Sequence, residues 1–215
     1  MPCPRFLLSR LPLIGVTIAC LFLGSMGCGG GTSTPGPVAS GLPATSVSRA
    51  STPSPDPASQ IRTQIAAAQE GFYRSYLAAV AAPGDRSRVD DLLARYTPQA
   101  PARADVASWM AGLASRRVAG RAGPESYYVI EKFAIENPSP QGRVIATVCG
   151  YDDGVLYDAV NRAPDGHEIV ISDKPVSERT RVTWVEQDTW KIDSVQTVDT
   201  WEGVNRCPPR GSGSS

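Results

Sequence analysis

The sequence predicts an α+β domain in which helices come first and antiparallel strands follow. Apolar residues between positions 59 and 82 recur at spacings close to whole helical turns, which predicts a long helix with one apolar face. Beyond Pro124, the aromatic and β-branched residues of SYYVIEKFAIE predict a strand. Because the two kinds of element are segregated along the chain, we expect three helices packed on one face of a curved antiparallel sheet.

The three helices are expected between Ser59 and Gly120. The first begins at Ser59, a good N-cap residue, and ends at the breaker PGD. RSRVDDLLARYTP predicts a second, shorter helix, and RADVASWMAGLASRRVAG a third. The residues expected to face the core are Ile61, Ile65, Phe72, Tyr76, Val80, Val89, Leu92, Leu93, Tyr96, Val106, Trp109, Met110, Leu113 and Val118.

The strands are expected to form a meander that ends in a long hairpin. GRVIATVCGY and VLYDAV predict two strands, and the DDG between them is a hairpin signal. IVIS predicts a short edge strand. RTRVTWVEQ and WKIDSVQTVD flank Asp188 and Thr189 and predict the two arms of the last hairpin. A sheet that curls around helices needs β-bulges, which we therefore expect in the long strands.

The first 27 residues have the layout of a secretory signal peptide. Arg5 and Arg10 supply a basic start, residues 11–24 are apolar, and Ser25 and Gly27 are small. The alternative is an uncleaved transmembrane helix, but the apolar run is shorter than the roughly 20 residues that a span needs. We therefore expect residues 1–27 to be removed on export.

Cleavage after Gly27 would place Cys28 at the new N-terminus. Small residues before a cysteine resemble the lipobox of bacterial lipoproteins, although Ser25 and Met26 depart from its preferred residues. The resemblance implies that Cys28 is acylated and anchors the chain in membrane lipid, on the outer face of the bacterial cell membrane. Two alternatives stay open: lipidation at Cys20 inside the apolar run, and a plain secretory cut that leaves Cys28 for a disulfide.

Residues 28–57 are expected to be a disordered tether. The segment is built from Gly, Ser, Thr, Ala and Pro and has no aromatic residue, so it can bury nothing that would offset its ordering entropy. A coil of about 30 residues has an end-to-end distance of roughly 30 Å. O-glycosylation of its Ser and Thr residues is an open alternative. Residues 209–215 are expected to be a disordered tail.

The cysteine count predicts a disulfide between Cys149 and Cys207. Once the signal peptide has been removed, these two residues and Cys28 remain, and exported proteins rarely keep a free thiol. Pairing of Cys149 with Cys207 leaves Cys28 for the lipid. The alternative is two separate buried thiols. A redox-active pair is disfavoured because the chain lacks Cys-x-x-Cys spacing.

Three helices followed by a meander that closes with VTWVEQDTWKIDSVQ resemble the NTF2-like, cone-shaped α+β fold. The positions of the two domain cysteines are similar to those in small actinobacterial envelope lipoproteins of that fold. The resemblance covers residues 58–208. It implies a pocket between the first helix and the sheet, which ketosteroid isomerase-like and polyketide cyclase-like enzymes use with an Asp. Some cone-fold domains dimerise through the sheet, which leaves a homodimer open.

Aromatic side chains are the candidate pocket residues, and they could equally fill the core. They are Tyr73, Tyr76, Trp109, Tyr128, Trp184 and Trp190. The acids considered as catalytic bases, Asp158, Asp193 and Asp199, are expected at the surface, because no Asp–His or Asp–Tyr spacing stands out. A single histidine, His167, in a turn-rich loop argues against a triad or a histidine metal site. We expect no cofactor and no catalytic residue.

The sequence therefore predicts an exported, membrane-tethered lipoprotein with a non-enzymatic NTF2-like domain that binds a partner protein or a small apolar ligand. Equal numbers of basic and acidic residues, 21 of each, argue against nucleic acid as the partner. One alternative is an enzyme of the cyclase or isomerase kind that acts in the cone. Another is an accessory subunit of an envelope transport or cell-wall assembly.

Overall fold

The computed structural model of the chain describes residues 56–138 and 140–211. Three helices precede seven strands in this part of the chain. They are α1 (Pro57–Ala81), α2 (Arg86–Leu93), α3 (Pro101–Ser115), β1 (Val118–Arg121), β2 (Tyr127–Asn137), β3 (Arg143–Asp152), β4 (Val155–Arg162), β5 (Glu168–Ser172), β6 (Val176–Glu186) and β7 (Trp190–Glu202). The predicted α+β class, with three helices before the antiparallel strands, is confirmed, whereas the predicted single meandering sheet is wrong because the strands divide between two sheets.

The strands form two antiparallel sheets. One has four strands in the order β2-β3-β6-β7, and the other has three in the order β1-β4-β5. The hairpin of β6 and β7 is confirmed, and β5 is the expected edge strand. The register shifts once beyond Ile130 in the β2–β3 pair and once beyond Arg179 in the β6–β7 pair, with a second shift further along each pair. These irregularities are the bulges that a curling sheet needs.

The N-cap of α1 is Asp56, so the prediction of Ser59 was wrong. The Asp56 carboxylate accepts hydrogen bonds from the Ser59 amide and from the Ser59 hydroxyl, each 3.2 Å long. Pro57 follows at the first helical turn, where a missing N–H costs nothing. An aspartate three residues before a serine, with proline between them, is the stronger helix start.

Strand β1 was missed, because we expected the third helix to continue through Val118. The helix ends at Ser115, and Arg117 takes a left-handed φ of 58°, which turns the chain back. The Arg117 carbonyl oxygen accepts a hydrogen bond of 2.8 Å from the Ala159 amide, which leads β1 alongside β4. Val118 is nevertheless buried in the core, as its place in the apolar pattern predicted.

The predicted DDG hairpin between β3 and β4 does not exist. These two strands lie in different sheets, and β4 pairs with β1 and β5 instead. A two-residue hairpin of the type that DG favours needs positive φ angles, and Gly154 does not have one. Glycine is needed at position 154 because the backbone of Arg121 passes close to it. A Cβ atom there would lie 2.8 Å from the Arg121 carbonyl oxygen.

The main core lies between the three helices and one face of the four-stranded sheet. Its fully buried members include Ile65, Leu92, Met110, Leu113, Val144, Trp184 and Ile192. The chain after α2 joins the sheet at the start of β7. Thr97 donates a 2.8 Å backbone hydrogen bond to Ile192, and Ile192 donates one of 2.8 Å to Arg95.

The opposite face of the sheet is crossed by residues 203–210, which we call the C-terminal strap. The strap begins with Gly203, at φ 75°, and contains Cys207, which forms the predicted disulfide with the fully buried Cys149 of β3. The hydroxyl group of Ser177 donates a 2.7 Å hydrogen bond to Val204 and accepts one of 3.0 Å from the Arg206 amide. The strap is therefore tied to β3 covalently and to β6 by hydrogen bonds.

Several predictions fall outside the described residues. They concern the signal peptide 1–27, the acylation of Cys28, nearly all of the tether 28–57 and the end of the tail 209–215. Among the helices that the structure describes, none combines the length and apolar character that crossing a membrane requires.

Candidate functional site

The main cavity lies between α1 and the four-stranded sheet and has a volume of about 150 Å³. Its lining is mostly aromatic and aliphatic. The helix side is formed by Gln69, Phe72, Tyr73, Tyr76 and Leu77, and the other walls by Tyr96, Tyr127, Tyr128, Val148, Gly150, Tyr151, Asp152, Val176, Glu178, Thr180, Val182, Ile192 and Val195.

One face of α1 supplies the first wall because its lining residues follow helical spacing. Gln69, Phe72, Tyr73 and Tyr76 stand at i, i+3, i+4 and i+7, and such residues lie on one side of a helix. The rings are positioned by contacts with other rings. Phe72 meets Tyr96 edge-on at 5.8 Å, Tyr73 meets Tyr128 at 5.1 Å, and Tyr76 stacks on Trp109 at 5.9 Å between centroids.

Tyr76, Tyr96 and Tyr128 of the main cavity are neutral hydroxyl groups at physiological pH. Loss of hydration on burial raises the pKa of Tyr76 and of Tyr96 above the ordinary range. Burial also raises the pKa of Tyr128, and the 2.8 Å hydrogen bond that its hydroxyl donates to Glu70 raises it further. These side chains therefore contribute ring faces and hydroxyl groups, but no negative charge.

Glu178 is one of the two carboxylates that line the main cavity from the four-stranded sheet, the other being Asp152. Alternation along β6 places Val176, Glu178, Thr180 and Val182 toward the main cavity. The Thr197 hydroxyl donates a 2.6 Å hydrogen bond to Glu178 Oε1 and holds the carboxylate in place. Burial raises the pKa of Glu178, and the Thr197 hydrogen bond opposes that rise.

Further acceptor groups line the main cavity. Gln69 is only 4% exposed, and its Oε1 has no hydrogen-bond partner among the described residues. Asp152 accepts hydrogen bonds from the Gly154 amide at 2.7 Å and from the Ser126 hydroxyl at 3.2 Å. The described lining contains no arginine or lysine. The polar part of the wall therefore includes the acceptor groups of Gln69, Asp152 and Glu178 and no basic side chain among the described residues.

An adjoining cavity of about 60 Å³ shares Tyr76, Leu77, Asp152 and Val176 with the main cavity. Arg121 and Lys174 are among its lining residues. Arg121 is paired with Glu168, and Lys174 with Glu202. The basic side chains of the adjoining cavity are therefore already neutralised by acids outside it.

The six aromatic residues predicted for a pocket lie in four places. Tyr73, Tyr76 and Tyr128 line the main cavity, and Trp109 lines the adjoining one. Trp184 is 1% exposed and lies in the core. Trp190 packs against the core edge and donates a 3.0 Å hydrogen bond from Nε1 to Gln64.

The aspartates considered from the sequence lie outside the main cavity. Asp158 accepts hydrogen bonds from the Val160 and Asn161 amides at 2.9 and 2.8 Å. Asp193 accepts a 3.3 Å hydrogen bond from Thr97, and Asp199 pairs with Arg179 at 3.1 Å.

His167 is exposed in the turn between β4 and β5. Within residues 56–138 and 140–211, no group of three or more His, Cys, Asp or Glu residues is placed to hold a metal ion.

Three lining residues that carry carboxylate or amide groups were not among the sequence candidates: Gln69, Asp152 and Glu178. The aromatic Tyr127 and Tyr151 were not among them either. For Glu178 the signal was present. Counting back in steps of two from the buried Trp184 reaches Val182, Thr180 and then Glu178, but we expected the strand to begin at Arg179. Asp152 was assigned to a hairpin turn. Gln69 lies on the predicted apolar face of the first helix. A polar residue on that face was the signal that it could line a cavity.

Replacing Glu178 with glutamine is expected to stabilise the protein at neutral and higher pH. A raised folded-state pKa means that the contribution of Glu178 to stability is complete below its unfolded pKa, near the ordinary 4.5, and is lost as pH rises through the folded pKa. Glutamine keeps an acceptor for Thr197 without the buried charge. We expect E178Q to gain about 1 kcal/mol in free energy of unfolding at pH 8, measured by urea denaturation.

The gain from E178Q should disappear at about pH 4, where the glutamate itself is largely protonated. Asp188→Asn is the matched control, because it removes one carboxylate from the exposed turn between β6 and β7. Its effect should stay within about 0.5 kcal/mol at both pH values. A loss of stability in E178Q at pH 8 would contradict the assignment of Glu178 to a desolvated wall.

No protein-family model matches the sequence, and no curated protein matches it either. Among solved structures, the chain is similar to the crystal structure of the intermembrane space region of the chloroplast protein ARC6. The two share 14% sequence identity over 60% of this chain and 93% of that chain, with a TM-score of 0.38. A similarity this distant says nothing about the main cavity.

Proposed function

We propose that this protein is an exported lipoprotein whose domain binds a small, largely apolar ligand in the main cavity. The observation that supports binding is the cavity itself, a space of about 150 Å³ walled by aromatic and aliphatic side chains with a few polar groups. Ligand sites are typically concave and mostly apolar, with a small number of placed polar groups. A domain that served only as a spacer would have no need of such a space.

We further propose that the domain is an NTF2-like cone. The arguments are three N-terminal helices, register shifts in both long strand pairs, and a closing hairpin of β6 and β7. The main cavity lies between α1 and the sheet, which is where the resemblance drawn from the sequence expects a pocket. The disulfide and the C-terminal strap brace the opposite face of the same sheet.

Membrane attachment through Cys28 is the second part of the proposal. It is supported by the basic start, the apolar run and the small residues that precede Cys28. A diacylglyceryl group carries two acyl chains, and two chains hold a protein at a membrane where one holds it only marginally. The tether 28–57 would then let the domain stand roughly 30 Å from the lipid surface.

The experiment is mass spectrometry of the full-length protein purified from its own membrane, first denatured and then native. We expect the denatured mass to fit a chain that begins at an acylated Cys28, and Cys28→Ser to abolish both the mass increase and membrane association. The native spectrum should show a small molecule that is released on denaturation. An unmodified N-terminus would exclude the anchor, and a bare domain would exclude the ligand.

A pair of variants ties any retained molecule to the main cavity. Thr180→Phe places a ring on the cavity wall, whereas Arg181→Phe places the same ring on the exposed opposite face of β6. We expect Thr180→Phe to lose the molecule and Arg181→Phe to keep it. Loss from both variants, or from neither, would place the molecule elsewhere.

An enzyme of the isomerase kind is the second candidate, and Glu178 is the observation that favours it. A carboxylate with a raised pKa in an apolar site can serve as a general base. Such a base would exchange a C–H proton of the retained molecule with solvent. Incubation in D₂O should then introduce deuterium with the wild type and not with E178Q, and a ligand that stays unlabelled would favour binding alone.

A further inference from the structure

We propose that the main cavity selects ligands that join a ring-sized apolar body to a protonated amine. This inference rests on the proposed function, because it names the class of ligand for the same cavity. It is supported by the size of the main cavity, by the aromatic residues around it and by the acceptor groups on its wall.

The volume limits the body of the ligand. About 150 Å³ is comparable to an apolar protein cavity that accepts benzene. A single six-membered ring with a short side arm therefore fits, whereas a fused polycyclic molecule would have to reach into the adjoining cavity. Phe72, Tyr73 and Tyr96 supply apolar contact for such a ring.

The polar groups of the wall require a donor from the ligand. Gln69 Oε1 is buried and has no partner among the described residues, and a buried acceptor without a donor is unfavourable. Glu178 uses Oε1 to accept from Thr197, and a carboxylate has further lone pairs to offer on its second oxygen. An ammonium group carries three donors and no acceptor, so it suits both residues.

The charges around the main cavity favour a cation. Glu178 and Asp152 line it. The neighbouring Arg179 points to the opposite face of the sheet, where it pairs with Glu131 at 2.8 Å and with Asp199 at 3.1 Å. On α1, Glu70 binds the Tyr128 hydroxyl at 2.8 Å.

Four other basic side chains lie near the main cavity without lining it. Arg74 is close to Tyr128 and pairs with Glu70 at 3.6 Å. Burial raises the pKa of the Tyr73 hydroxyl group, and Arg210 is close enough to oppose that rise. The Arg210 guanidinium group donates a hydrogen bond to the Ser126 carbonyl oxygen and lies over the Tyr127 ring. Arg121 and Lys174 of the adjoining cavity are paired with acids.

The aromatic residues reinforce the same preference. A ring face carries partial negative charge and attracts an ammonium group within about 6 Å. The lining of the main cavity includes six tyrosines and one phenylalanine together with two carboxylates. An anionic ligand of the same shape would meet Glu178 and Asp152 with like charge and would find no described arginine or lysine on the wall.

The test compares three probes of nearly equal size on the full-length protein in detergent at pH 7. The probes are 2-phenylethylamine, which is protonated at this pH, neutral 2-phenylethanol and anionic phenylacetate. Affinities are measured by isothermal titration calorimetry after any retained molecule has been removed. We expect the amine to bind at least tenfold more tightly than the alcohol, and phenylacetate not to bind.

Variants of lining residues test whether the wall of the main cavity causes the preference for the amine. E178Q, which should fold at least as stably as the wild type, is expected to weaken the amine at least tenfold and to leave the alcohol nearly unchanged. Gln69→Leu should weaken both donor probes. Asp188→Asn, which removes a charge from an exposed turn, is the matched control and should leave all three affinities as they are.

The outcomes separate this inference from the proposed function. Equal binding of amine and alcohol, or an equal loss of both in E178Q, would overturn the amine class while leaving a ligand-binding cavity. Binding of phenylacetate in preference to the amine would do the same. If no probe binds and the native spectrum also shows a bare domain, the proposed function itself fails. If no probe binds but the native spectrum shows a retained molecule without an amine, only this inference fails.

Discussion

Replacing Cys149 and Cys207 together with alanine is expected to lower the free energy of unfolding by about 4 kcal/mol. The two residues are 58 positions apart, so the disulfide closes a long loop and removes much of the conformational freedom of the unfolded chain. The bridge also holds the C-terminal strap over β3, where Cys149 is fully buried. A loss of this size is a large share of the typical stability of a domain, about 5 to 15 kcal/mol.

Urea denaturation with and without a reductant provides the measurement. The wild type should lose stability when reduced and should then match the double variant, which the reductant itself should leave unchanged. If the oxidised wild type and the double variant had the same midpoint, the disulfide would not contribute to stability. Cys207→Ala alone is a useful companion, since it leaves the Cys149 thiol buried without its partner.

Replacing Trp184 with alanine is expected to lower the free energy of unfolding by about 3–5 kcal/mol. Trp184 is 1% exposed and lies in the core between Val144 of β3 and Ile192 of β7, its partners in the sheet register. Removing the indole ring loses its apolar burial and leaves a space that these strands cannot close. The same side chain was a candidate pocket residue, so the variant also separates a core role from a ligand-binding one.

Trp184→Phe is the control variant, because it keeps an aromatic ring at this core position. It removes the indole Nε1, which is buried without a hydrogen-bond partner among the described residues. We expect it to cost about 1–2 kcal/mol, well below the alanine variant. Denaturation followed by circular dichroism gives both values, and an alanine variant as stable as the wild type would place Trp184 outside the core.

The order of helices and strands could be predicted because it depends on periodicity, which is local. The pairing of the strands could not. Four residues, Val118–Arg121, form β1 only because β4 lies beside them, and nothing in the sequence marks Arg117 as a residue with positive φ. The DDG signal failed for a related reason: Gly154 is required by the approach of Arg121, a contact between residues 33 positions apart.

Of the residues that line the main cavity, Tyr73, Tyr76 and Tyr128 were candidates from the sequence, whereas Gln69 and Glu178 were not. Tyr73 and Tyr76 follow helical spacing, so the face of α1 that they share can be read directly. Glu178 depended on where β6 begins, and the ends of an element are the least certain part of a sequence-based prediction. Gln69 became informative only when its buried oxygen proved to have no partner among the described residues.

The alternation of β6 has a consequence for how the gene for this protein can change. Ser177 faces the C-terminal strap, and its neighbour Glu178 faces the main cavity, so one strand serves both sides of the sheet. Insertion or deletion of one codon within β6 would exchange the two faces, bringing Glu178 beneath the strap and Ser177 into the cavity. Length changes in homologous genes should therefore be excluded from the codons of β6 and tolerated in the turn at residues 187–189.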